Sequence, residues 1–292
     1  MEISIIIPTF NRWDSLLKVI NSYLIQKFVY EFIIVDDGST LPIPKELTKV
    51  FTQNNIHYYR FENRQGITKV RNKGIEISKA RLILMGEDDV MLTENYVEYL
   101  LNILLRYDAD IIGGRIIGIQ EGQDINAVII KNYEKDIKII DPLSLEGNFH
   151  LQFDEPIQVP FLHAVCLIKR SCFEITKYDT NFWGNAYREE SDFCLSIVKQ
   201  GGKCLYESRA VCYHVSSDSN QVGGHRRNRV IYDYMAIRNN YYFLNKHYEF
   251  LNSNNISRKS KAYLNIYFIL ARVIKRLKGI FSYILRKIKA QP

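Results

Sequence analysis

The chain has 292 residues, of which 47% are hydrophobic, with 20 Tyr and 15 Phe. That is enough for one large α/β domain with an appendage, or for two small domains, and too apolar for a disordered chain. The net charge of +7 is held unevenly: residues 256–292 carry 10 Lys and Arg and no Asp or Glu, which leaves 29 cations against 32 anions in residues 1–255. Nucleic-acid-binding enzymes spread their cations over the body, so a mildly acidic body argues against nucleic acid as a partner. A short basic tail fits an anionic membrane surface instead.

The first residues already read as a strand, so no leader is expected. Residues 2–7 are β-rich and stop at Pro8, after which Leu16, Leu17, Ile20, Tyr23 and Leu24 recur at helical spacing. Residues 32–35 read as a second buried strand, ended by Asp36-Asp37-Gly38-Ser39, and 56–61 as a third. Residues 66–79 read as a helix with Val70, Ile75 and Ile77 on its apolar side. Residues 82–85 form a fourth strand, ended by Gly86-Glu87-Asp88-Asp89, and Thr93 is expected to cap a helix bearing Tyr96, Val97, Leu100, Leu101 and Leu104. Beyond it the pattern loosens. Residues 113–154 are strand fragments and loops, 159–169 a strand, and 189–200 a helix stopped by Gly201-Gly202. Residues 203–206 and 210–215 are short strands, 216–227 a polar loop, and 230–248 an aromatic-rich helix. Cys166, Cys172, Cys194, Cys204 and Cys212 are odd in number and include no C-x-x-C pair. Free buried thiols in a reducing, cytoplasmic setting are expected.

Repeated strand–helix units make a parallel sheet with helices on both faces. Residues 9–12, 36–39 and 87–89 each follow the carboxyl end of a strand, and ligands of open α/β sheets bind along that edge. Three polar loops distant in sequence should meet at one crevice. Glu87, Asp88 and Asp89 repel one another, and a hard cation shared with substrate phosphates removes that cost. The bland alternative is a solvated turn with acids at a helix N-terminus. Asp36 and Asp37 fit a turn, and equally a carboxylate accepting from a base or a ribose. Arg71 has the reach for a phosphate or base, or for an ordinary surface ion pair. Glu189, Glu190 and Asp192 open a helix after Phe182-Trp183-Gly184. They either complement its dipole or provide a general base. His214 ends a strand before the polar loop, where a structural role and a ligand role are both open.

Taken together, Ser4–Arg12 (SIIIPTFNR), Ile34–Ser39 (IVDDGS), Gly66 with Val70–Gly74 (VRNKG) and Glu87–Val90 (EDDV) resemble family 2 glycosyltransferases of the GT-A fold. The Arg188-Glu-Glu-Ser-Asp192 opening with Gly201-Gly202, and Arg238-Asn239, resemble that family's acceptor-side motifs; the match spans residues 2–248. The resemblance implies a mainly parallel nucleotide-binding sheet flanked by helices, with residues 1–112 holding a nucleotide-sugar donor and 113–255 the acceptor. It implies Pro8, Thr9, Asn11, Arg12, Asp36, Asp37 and Arg71 on the donor side, with Glu87 and Asp88 beside them. Asp89 would be the ligand of Mg²⁺ or Mn²⁺, His214 would touch the metal or diphosphate, and Glu190, with Glu189 as the other candidate, would be the base of an inverting transfer. The chain departs from the family in bearing Glu at 87, where Asp is usual, and Glu at the base position. It lacks the Q-x-x-R-W run of processive synthases. Arg226 and Arg227 of the polar loop are expected to close over the diphosphate.

In 256–292, Tyr263, Ile266, Tyr267, Leu270, Ile274, Leu277, Phe281, Ile284, Leu285 and Ile288 recur every three or four residues, with cations between them. The apolar runs are shorter than the ~20 residues a bilayer crossing needs. An interfacial helix on an anionic leaflet at the inner face of the cell membrane is expected, which would suit a lipid-linked or glycan acceptor. A helix packed on the body is the alternative. Two other function classes compete for an α/β chain with these acids. A sugar nucleotidyltransferase would want a Gly-rich basic loop where Pro8–Arg12 stands, and a non-catalytic binding protein would bind nucleotide sugar without turnover. Sugar, nucleotide and oligomeric state are not encoded in any motif.

Overall fold

The computed structural model describes residues 2–124, 137–216 and 228–289, with side chains to residue 279. The chain folds as β1 (Ile3–Thr9), α1 (Trp13–Leu24), β2 (Val29–Asp36), α2 (Lys45–Gln53), β3 (His57–Arg60), α3 (Ile67–Ile77), β4 (Leu82–Met85), β5 (Val90–Leu92) and α4 (Tyr96–Tyr107). It continues as β6 (Ile111–Gln120), β7 (Ile157–Gln158), β8 (Cys166–Lys169), α5 (Cys172–Ile175), α6 (Glu189–Lys199), β9 (Cys204–Ser216), α7 (Arg229–Ser253) and α8 (Lys261–Lys289). The strands form one sheet in the order β3-β2-β1-β4-β8-β6-β9-β5, with β7 on β9. Its first four strands are parallel, as the strand–helix alternation predicts, and β8 then runs antiparallel to both β4 and β6. Every residue of β1 is buried, as a central parallel strand covered on both faces requires.

Several expectations shift. Residues 159–169 do not form one strand. Val159 N–H reaches Cys204 O, Pro160 interrupts pairing, and only Cys166–Lys169 joins the ladder. The two short strands at 203–206 and 210–215 are one strand, β9, whose register against β6 slips between Gly114 and Arg115. Thr93 does not cap α4. Its hydroxyl donates to Val211 O, and Asn95 takes the cap position without a side-chain bond. Helix α2 and strand β5 carry no strong sequence signal and appear only in the structure. The five cysteines are free and buried, as expected. Expected features within 125–136 and 217–227, including Arg226 and Arg227, and the side chains of Phe281, Ile284, Leu285 and Ile288 lie outside the described residues.

Helix α8 is not detached from the body. Leu264 and Phe268 are buried, Phe268 packs on the Tyr187 ring, and Arg272 and Arg276 both pair with Asp233 of α7. Among the described residues, no helix is long and apolar enough to cross a membrane.

Candidate active site

The carboxyl ends of β1, β2 and β4 deliver three loops to one cavity of about 590 Å³, lined by Pro8, Thr9, Arg12, Asp37, Arg71 and all three of Glu87, Asp88 and Asp89. Its far wall comes from 146–149, 161–164 and the start of α6. The triplet is held rigidly. Tyr23, fully buried on α1, donates its hydroxyl to Glu87 O and accepts from Glu87 N–H. A Cβ on Gly86 would lie 2.8 Å from the Tyr23 ring and 3.0 Å from Ile7, so the strand end needs glycine there.

The three carboxylates fan out to different partners rather than converging on one point. Asp88 accepts from the Thr9 hydroxyl at 2.8 Å and pairs with Arg12 at 2.8 Å. Asp89 pairs with Arg12 at 2.6 Å and lies 3.3 Å from His214 Nε2. Pairing of β5 with β9 sets Val90 opposite His214, and Val215 N–H binds Asp89 O, which is why the histidine reaches this carboxylate. Glu87 faces Arg71 at 3.4 Å. Burial pushes the Glu87 and Asp88 carboxyls up to about 7, in Asp88 against the pull of Arg12. Burial acts the same way on Asp89, but its hydrogen bond to His214 and the Arg12 charge outweigh it and hold that carboxyl below the usual range. Asp89 is therefore the most acidic of the three.

Across the cavity, α6 begins after an αL residue, Arg188, whose φ is 80°. Its guanidinium is buried and donates to Ser144 O, Leu145 O and Asn240 Oδ1, which anchors the helix start. Glu189 and Glu190, adjacent in sequence, separate here: the Glu189 side chain is 2% exposed and that of Glu190 29%. Both line the cavity, and only Glu190 offers its carboxylate to solvent-sized space. Arg71 is 1% exposed and sits between the walls, 3.1 Å from Glu189, 3.4 Å from Glu87 and 3.8 Å from Glu190. Burial works against the Arg71 charge, but these carboxylates hold its pKa above the usual value. Burial also drives the Glu189 carboxyl well above the normal range.

Three expected site residues stand behind the wall. Asp36 is fully buried and accepts from Ser39 N–H and Oγ–H and from Tyr58 Oη–H. Asn11, at φ 53°, accepts from the N–H groups of Thr40 and Leu41. Both acceptors are consumed in shaping the loop that presents Asp37, which itself accepts from Gln65 and Gly66 N–H. Asp192 is 1% exposed, accepts from His247 Nε2 at 2.6 Å and Lys246 Nζ at 2.9 Å, and ties α6 to α7. Helical spacing from Glu190 turns it away from the cavity.

Comparison with known proteins gives this arrangement its family. Residues 4–174 match the family described as glycosyl transferase family 2. The chain is a family 2 glycosyltransferase. The transferase is 27% identical over 214 residues to "Glycosyltransferase GlyA" of Streptococcus pneumoniae serotype 4, covering 71% of this chain and 30% of that protein. It is 28% identical over 195 residues to "GalNAc(5)-diNAcBac-PP-undecaprenol beta-1,3-glucosyltransferase" of Campylobacter jejuni, covering 65% and 61% of the two chains. The crystal structure of S. aureus TarS 1-349 in complex with UDP-GlcNAc superposes with a TM-score of 0.59 at 16% identity, over 93% of this chain and 72% of that one. The transferase thus shares the GT-A fold of that neighbour, and it spans under two thirds of the length of the curated relatives named here.

Phe10, His163, Tyr187 and Tyr232 are among the residues of the transferase's cavity that no sequence motif singles out as site residues. Phe10 packs under the Arg64 guanidinium at 4.3 Å beside Asp37. An aromatic directly after Thr9 was the available signal. His163, whose Nε2 binds Gly114 O at 2.7 Å and whose Nδ1 accepts from Val165 N–H, is pushed down to about 4 by burial and stays neutral. Tyr187 and Tyr232 come from loop 182–188 and α7 and meet only in the tertiary structure.

Proposed function

We propose that the transferase moves a sugar from a nucleotide-sugar donor to an acceptor hydroxyl with inversion, using Glu190 as the general base and a divalent cation at Asp89. The observation that carries this reading is the facing of two unlike carboxylates across one cavity: Asp89, held anionic by His214 and Arg12, and Glu190, the more exposed of the two glutamates at the α6 start. The UDP-GlcNAc bound by TarS supports a nucleotide-sugar donor, and the lipid-linked substrate in the Campylobacter protein's name supports a lipid-linked or glycan acceptor.

The residues fit a metal only in part. Among the described residues no three His, Cys, Asp or Glu side chains are gathered to hold an ion by themselves. Asp89 and His214 give one oxygen and one nitrogen donor at the cavity, a set that suits Mn²⁺ and tolerates Mg²⁺ if substrate phosphate oxygens complete the shell. The bound cation would offset charge on the departing diphosphate. Pro8, Thr9, Phe10 and Asp37 would receive the nucleoside, and Arg12, next to Asp88 and Asp89, would lie against the phosphates. Glu190 would take the proton of the attacking hydroxyl, aimed by Arg71 and by the anchoring of α6 through Arg188 and Asp192. The exposed apolar and basic face of α8 would lie on an anionic leaflet, placing the enzyme at the inner face of the cell membrane.

Screening nucleotide sugars for Mn²⁺-dependent release of nucleotide tests the chemistry. Release should vanish in Asp89→Ala. Release that persists in that variant, or needs no divalent ion, contradicts the metal assignment.

A further inference from the structure

The two ends of the last helix pair bring a membrane-type surface and the acceptor wall to one place. On α8 the inner face is Leu264, Phe268, Arg272 and Arg276, and the opposite face carries Ile266, Leu270, Val273, Ile274 and Leu277, exposed to as much as 60%. No acid lies anywhere in 256–292 to balance its cations. Arg272 and Arg276 pair with Asp233, and Arg276 also donates to Arg229 O, so this part of α8 lies along the first turn of α7. That turn exposes Val230 (78%) and Ile231 (49%). Its next residue, Tyr232, lines the cavity, and Arg272 stacks on both Tyr232 and Tyr187, the second aromatic of the same wall. Arg272 thus joins the inner face of α8 to the cavity wall formed by Tyr187 and Tyr232.

We propose that the acceptor mouth of the cavity opens at the bilayer surface: α8 and the first turn of α7 form one face that lies on an anionic leaflet. This rests on the transferase reading and on the membrane role of α8, and it adds the orientation of the site. An exposed apolar stripe flanked by cations such as Lys275 and Lys278, which have no acid on their own helix, is the pattern of an interfacial helix rather than of a solvated one. With the site so oriented, the acceptor is an amphiphile. Its apolar part stays in the leaflet while its head group reaches Glu190 past Tyr187 and Tyr232.

The five native cysteines are buried, so a cysteine introduced at the surface is labelled selectively by a polarity-sensitive fluorophore. Val230→Cys reports the α7 turn, Ile266→Cys the α8 stripe, and Thr52→Cys on α2 the remote side. Vesicles of phosphatidylcholine with phosphatidylglycerol are added to each, and pure phosphatidylcholine vesicles serve as control. The expected result is a blue shift with at least a twofold rise in emission at positions 230 and 266 with the anionic vesicles only, and none at 52. A response at 266 without one at 230 overturns the orientation while leaving α8 a membrane helix. No response at either site overturns both. Mn²⁺-dependent nucleotide release, measured on the same labelled proteins without vesicles, reads the transferase assignment separately.

Discussion

Replacing Arg71 by Met keeps most of the volume of the side chain and removes the charge that lies between Glu87 and the start of α6. Glu189 is 2% exposed and would lose a partner 3.1 Å away, while Glu87 and Glu190 lose one at 3.4 and 3.8 Å. Removing one member of a buried pair costs about 3–5 kcal/mol, because the other charge stays uncompensated. Neutralising it as well, in Arg71→Met/Glu189→Gln, should recover most of that loss, a coupling of about 2–3 kcal/mol. The pH dependence has a definite sign. The Glu189 carboxyl is raised in the folded state by burial, and without Arg71 it rises further. Its contribution to stability is then fully present below its unfolded value of about 4.3 and is lost as pH rises through the folded value. Urea denaturation should therefore find the Arg71→Met deficit larger at pH 8 than at pH 5, and the double variant nearly flat between them. A single variant that loses less than about 1 kcal/mol at pH 8, or a double variant as unstable as the sum of the two singles, would falsify the picture of Arg71 as a buried counter-charge.

Glu190→Gln keeps the shape of the proposed base and removes its proton affinity. Transfer should fall by about 10²–10⁴-fold, while Glu189→Gln acts mainly on stability; comparable loss of turnover in the two variants, at equal folded fraction, would assign the base differently. His163 is neutral when buried, with its pKa lowered to about 4. Its share of stability is complete above the unfolded value of about 6.5 and lost as pH falls toward 4, and His163→Gln should flatten that part of the denaturation profile by about 3 kcal/mol. Gly74→Ala places a Cβ 2.4 Å from Ile6 Cγ2 where α3 crosses β1. The overpacking should cost about 1–3 kcal/mol in thermal or urea unfolding, and a neutral result would show that α3 is free to shift.

The parallel half of the sheet and the meeting of its three loops were legible in the sequence because both follow from local rules. Buried strands of a parallel sheet are continuous apolar runs, and loops after such strands share one edge. The triplet Glu87, Asp88 and Asp89 was visible for the same reason, as polar residues ending the run at 82–85. The partners of the triplet are groups remote in sequence: Arg71 faces Glu87, Arg12 pairs with Asp88, and Arg12 and His214 together hold the Asp89 carboxyl lowest of the three against its burial. No periodicity distinguishes Glu189 from Glu190, since neighbours on a helix differ only by rotation, and the direction of the cavity decides which is exposed. The same rotation turned Asp192 toward His247. Asp36 and Asn11 look like ligands in sequence because an acceptor side chain reads alike whether it binds a donor molecule or its own loop, and only their hydrogen-bond partners tell the two apart. The basic tail declared its composition and its 3.6-residue spacing, while its contact with Asp233, Tyr187 and Tyr232 came from the packing of α8 on α7. Composition and period are properties of the chain alone, but burial, pairing and pKa depend on the whole set of neighbours, and those exist only once the chain has folded.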